Sequence, residues 1–143
     1  MQPLLDLSQL RLDDATRRLG ELMAGEKQAG ERLALLNQYR AEYHARFLAA
    51  AREGIGRDQW RNYQAFLDKL DTAIGQAQAA ADQSRRHTEA GQRNWLDTRG
   101  QMKAYDTLNQ NFLQRQQHAA LRREQKALDE HTARQHGQKD ASD

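Results

Sequence analysis

Five histidines, His44, His87, His118, His131 and His136, are the side chains best suited to metal or acid–base chemistry in this sequence. No two are four residues apart, so no pair shares a helix face at ligand spacing; His131 and His136 diverge around the helix. They read as solvent-facing. Cysteine is absent, which removes thiolate chemistry and disulfides and fits a reducing compartment. Gly54-Ile55-Gly56 lacks the third glycine and preceding strand of a phosphate loop, so it marks a turn. No Ser/His/Asp set or carboxylate pair finds a cavity, because the elements derived below enclose none. The expectation is a protein that is not an enzyme, with no metal and no cofactor.

Charge excludes a second class. Lys and Arg number 22 against 20 Asp and Glu, and the two signs interleave. Asp13–Arg17, Asp14–Arg18, Glu42–Arg46, Asp82–Arg86 and Glu89–Arg93 stand at i, i+4, acid first, as on a solvated helix. Nucleic acid demands a denser one-sided basic stripe, so none is expected as a partner. The cluster Arg115, Arg122, Arg123 and Lys126 reads either as a solvated face or as a contact for an acidic protein surface.

The elements that carry these residues are helical. Valine is absent and isoleucine occurs twice, whereas Ala, Gln and Leu supply 22, 18 and 18 residues. Excluding alanine, only 32 of 143 residues are apolar, too few for a rich globular interior and enough for a seam between helices. No apolar run reaches the roughly 18 residues of a membrane span, and the N-terminus lacks a secretory leader.

Heptads give the seam. Before the glycines, a falls on Leu5, Leu12, Leu19, Glu26, Leu33, Arg40 and Phe47, and d on Ser8, Ala15, Leu22, Ala29, Leu36, Tyr43 and Ala50. After them, a begins at Trp60 and runs through Met102, and d begins at Tyr63 and runs through Phe112. A 3.5-residue period held this long predicts a coiled coil. We expect one all-α domain over 1–143: helix one at about 4–53, a turn at 54–57 with Asp58 as N-cap, helix two at about 58–135, and a frayed tail at 136–143. The short turn makes the helices antiparallel, in a register pairing numbers that sum near 110 or near 117. Helix two then outruns its partner beyond about residue 110. Leu113, Leu121 and Leu128 leave the heptad frame there. Polar seam residues and helical glycines admit two readings, register control or a deliberately soft rod.

One band is too wide. From Trp60 to Ala77, Phe66 and Ala73 add g positions to the seam, and six of nine aromatics fall near the hairpin tip. Two readings fit. Tyr39, Tyr43 and Phe47 pack there as a local core, or Phe66 and Leu70 centre an exposed docking patch floored by Ala73 and Ala77.

Tyr39-Arg40-Ala41-Glu42-Tyr43, the Gly54-Ile55-Gly56 turn, Trp60-x-Asn62-Tyr63-Gln64-x-Phe66-Leu67 and Leu70-x-x-Ala73-Ile74 together resemble the flagellar FliJ family. The likeness is clearest over about residues 10–78. It implies an antiparallel coiled coil similar to the gamma-subunit stalk of rotary ATPases, within the flagellar type III export apparatus. It also implies three kinds of partner: the hexameric export ATPase (FliI), the export-gate protein FlhA, and export chaperones that are recycled. Gate contact is implied for Phe66, Leu70, Ala73 and Ala77. The stalk analogy directs the end bearing both termini into the ATPase ring, with Arg11, Arg17, Arg18, Arg115, Arg122 and Arg123 as contacts. The implied setting is cytoplasmic and peripheral to the membrane, with the chain monomeric when free. Alternatives are an export chaperone or escort adaptor, and the equivalent stalk of a virulence secretion system.

Overall fold

A computed structural model describes residues 2–142, with side-chain surroundings for 2–137. It is all-α: α1 spans Gln2–Glu53 and α2 spans Arg57–Ser142, and the two pair as an antiparallel helical hairpin. α1 ends at Gly54, whose φ of 93° is one an L side chain rarely adopts; its N–H donates to the Ala51 carbonyl at 3.2 Å. The Trp60 N–H donates to the Gly56 carbonyl at 3.1 Å, so Gly56 is the N-cap. Asp58, expected as the cap, instead lies in the first turn, where its charge suits the positive end of the helix dipole. The turn is accordingly 54–56 rather than 54–57. Helix two, expected to stop near 135, continues to Ser142; Gln, Ala and Lys in the polar tail are all good helix formers. Asp143 lies outside the described residues.

Burial follows the heptads. From Leu5 to Phe47 every a and d residue is buried or half-buried, and every other residue is exposed. From Tyr63 to Tyr105 the a and d residues are again all covered, with g joining at Phe66 and Ala73. Ala50, Trp60 and Phe112, at the ends of the frame, are exposed.

The chain divides into two units. In the unit of Leu12–Asp97, the core residues are Ala15, Tyr63, Leu70 and Ala77. Contacts such as Phe47–Tyr63, Thr16–Trp95 and Arg40–Asp71 select the register summing near 110. The ion pair of Arg40 with Asp71, at 2.6 Å, makes a polar seam position compatible with pairing. Asp71's hydrogen bond and charge raise the Arg40 pKa above its usual value.

Several local pairs differ from the i, i+4 expectation. Asp14 meets Arg17 and Asp82 meets Arg85, both at i, i+3, while Glu42 accepts from Gln38. All but the half-buried Asp82 are exposed, where rotamer freedom outweighs a weak attraction.

In the other unit, residues 1–11 and 98–143, Ser8 is buried and Leu5, Thr98, Met102, Tyr105 and Asn109 are half-buried. From Gln110 to Gly137 every residue is exposed.

Candidate docking surfaces

At the hairpin tip the aromatic residues form a local core. Phe47 and Tyr63 stack with ring centres 3.6 Å apart and planes 10° from parallel, and Tyr43 also stacks with Tyr63, at 5.5 Å. Trp60 packs on Phe47 at 5.1 Å. Phe66 sits against Tyr43 at 4.3 Å and edge-on to Tyr39 at 6.2 Å. The Tyr63 hydroxyl hydrogen-bonds His44 Nδ1, which gives this buried phenol its polar partner.

That core corrects the expectation of an exposed band centred on Phe66 and Leu70. Leu70 is only 7% exposed, as is Ala77, because both are d residues covered by α1. Phe66 is half-buried under two tyrosines of α1. The exposed apolar residues here are Trp60, Tyr39, Leu35 and Leu48.

Ala73 and Ala77 do reach a concave surface. A groove of about 510 Å³ runs between the helices, floored by Gly25, Ala29, Ala73, Ala77 and Ala80 and edged by Arg32. Small side chains at g and d on both helices leave this space, since none is long enough to close the flank. The sequence singles out Ala73 and Ala77 as small residues of such a floor but not Ala80 or the α1 half. The signal was present in Gly25, which takes a g position where α1 otherwise carries Leu, Arg or Tyr, four residues before the small d residue Ala29.

Farther from the tip, the helices of the Leu12–Asp97 unit approach closely. A Cβ built on Gly91 would lie 2.6 Å from Leu22 Cδ1. The buried Thr88 hydroxyl lies 3.2 Å from the Leu22 carbonyl and 3.1 Å from that of Ser84, so one proton is shared across and along the helices. Trp95 Nε1 donates to Thr16 Oγ1 at 2.9 Å, and that hydroxyl donates to the Leu12 carbonyl at 2.8 Å.

The other unit exposes a different surface. Among the described residues, eight of the fourteen exposed large apolar residues belong to it: Leu4, Leu7 and Leu10 on α1, and five on α2 from Leu108 to Leu128. Arg115, Arg122 and Arg123 lie among the α2 set, all exposed, with Arg123 Nε donating to the Ala119 carbonyl. Arg11, Arg17 and Arg18 are exposed on α1, with Arg17 held by Asp14.

A sequence-family profile described as Flagellar FliJ protein matches residues 1–141. The chain belongs to the flagellar FliJ protein family. Among its relatives, the Flagellar FliJ protein of Salmonella typhi is 33% identical over 138 residues, covering 94% of this chain and 91% of the relative. The Flagellar FliJ protein of Escherichia coli (strain K12) is 33% identical over 135 residues, covering 92% and 89%. FliJ membership makes the chain a component of the flagellar protein-export apparatus, in flagellum biogenesis. Among the described residues no helix is long and apolar enough to cross a membrane, and no His, Asp and Glu cluster could hold a metal ion.

Proposed function

We propose that this FliJ-family chain is a stalk without chemistry of its own, held by the hexameric export ATPase FliI and by the export gate FlhA. Through these contacts it promotes assembly and turnover of the ATPase, and it takes part in recycling export chaperones. It acts from the cytoplasm, peripheral to the membrane, and is monomeric when free. The observation that carries this reading is the stretch of α2 from Gln110 to Gly137, exposed at every residue and bearing leucines and arginines together. Leucines left in water cost free energy that a binding partner recovers by covering them. The flanking arginines suit an acidic, partly apolar surface such as the lumen of an ATPase ring. Arg115, Arg122 and Arg123 are the contacts assigned on this stretch; Arg11, Arg17 and Arg18 are those assigned on α1.

Gate contact is assigned to Phe66, Leu70, Ala73 and Ala77, with the work divided among them. Phe66 and Ala73, half-buried, touch the gate, and Ala77 floors the groove beside them. Leu70 and Ala77, buried in the seam, hold the two helices at the separation that shapes the groove.

The test is binding and turnover with purified partners. Adding the chain to the export ATPase should raise hexamer content and ATP turnover, and Ala73→Gln should weaken gate binding with helicity unchanged. Binding to export chaperones with no effect on the ATPase would instead support an escort adaptor.

A further inference from the structure

The groove floored by Ala73 and Ala77 shares one flank of the Leu12–Asp97 unit with two further grooves among the described residues. A second, of about 220 Å³, lies beside the aromatic tip, between Arg46, Phe47, Gln59 and Tyr63. A third, of about 310 Å³, lies between Arg18, Leu22, His87 and Gly91. In heptad terms all three open where g of α1 faces g of α2, the side on which Tyr39 meets Phe66. Each groove holds one g-position arginine of α1: Arg46, Arg32 and Arg18. These three are exposed, and none forms an ion pair or side-chain hydrogen bond among the described residues. They stand fourteen residues apart, two heptads, which is about 21 Å at 1.5 Å rise per residue.

We propose that this flank takes an acidic amphipathic helix of a partner protein, laid along the two helices to make a local three-helix coiled coil. The floor of Gly25, Ala73 and Ala80 lets a third backbone approach within ordinary helix-packing distance. A partner with a heptad repeat returns to the same face every fourteen residues, so Glu or Asp at that spacing meets Arg32 and one neighbouring arginine. Charge selects this occupant over others. A second copy docking by the same face sets arginine against arginine. Three cations at about 21 Å intervals are too sparse for a duplex that carries one charge per roughly 1.7 Å. A lipid surface does not enter a concave cleft. The proposal shares the floor of the middle groove with the gate-docking reading and rests on it only for which protein supplies the helix.

The experiment uses the full chain and two synthetic heptad peptides of about 25 residues, identical except for Glu or Lys at fourteen-residue spacing. Fluorescence anisotropy should show the Glu peptide binding at least tenfold tighter than the Lys peptide, with affinity falling as salt rises. Arg32→Glu should weaken the Glu peptide roughly tenfold and restore binding of the Lys peptide. Ala80→Gln should weaken both by filling the floor, with circular dichroism confirming an intact fold for each variant. Equal affinity for the two peptides, no charge-swap rescue, an equal Arg32 dependence for phosphatidylglycerol vesicles, or a dimer occupying this flank would each overturn the proposal. Gate binding that ignores Arg32→Glu also overturns it and leaves the gate reading standing. Charge-dependent peptide binding without gate binding upholds it and removes the gate reading.

Discussion

The unit of Leu12–Asp97 and the α2 stretch from Gln110 to Gly137 are built from similar residues and use them in opposite ways. In the first, most leucines and aromatics fall on a and d and are covered by the partner helix, while Leu35, Leu48 and Leu96, off those positions, are exposed. In the second, Leu113, Leu121 and Leu128 leave the frame and every residue is exposed. One region buries much of its apolar surface against a partner helix and the other leaves its own exposed. Helix formation alone therefore does not tell a covered leucine from an exposed one; the heptad frame does.

The sharpest way to break this comparison is a matched pair of truncations. Tyr63→Ala removes a buried ring stacked with both Phe47 and Tyr43 and should cost about 3 kcal/mol, read by thermal or urea unfolding. Leu121→Ala, at a side chain 63% exposed, should stay within about 0.5 kcal/mol of wild type. Equal losses would mean that the distal stretch is structural.

A second contrast uses backbone. Gly100→Ala meets open space and should stabilise by about 0.8–1 kcal/mol through helix propensity. Gly91→Ala should forfeit that gain, because its methyl would meet Leu22 Cδ1. Parallel unfolding curves for the two variants would show that the close approach at Gly91 is not maintained in solution.

Smaller effects sharpen the seam. Thr88→Val should cost about 1 kcal/mol, since an isosteric side chain loses the hydroxyl shared by two carbonyls. Asp71→Asn should have the least effect, a slight loss that vanishes in high salt, because the Arg40 pair is solvent-accessible. A large, salt-independent loss at Asp71 would make this pair a determinant of register.

Most of the fold was legible because one physical signal, the 3.5-residue period, specified helix, seam and partner face together. It named every covered position from Leu5 to Phe47. The register near 110 was one of two that the period allows; the stacking of Phe47 on Tyr63 and the hydrogen bond of Thr88 to the Leu22 carbonyl choose between them. The cap at Gly56 was misread because Asp58 is also a favoured capping type, and only backbone geometry separates the two. The candidate docking patch was half legible. Phe66 and Ala73 at g announced a wide face, but the tyrosines that cover Phe66 lie on the other helix, beyond the reach of local periodicity.

The central claim is that the exposed leucines beyond Gln110 exist to be gripped by the export ATPase. ATP turnover by the purified ATPase, titrated with the wild-type chain and with a Leu121→Glu/Leu128→Glu variant of equal helicity, tests it most directly. Wild type should raise turnover and the variant should not. Equal stimulation by both, or none by wild type, would contradict the account.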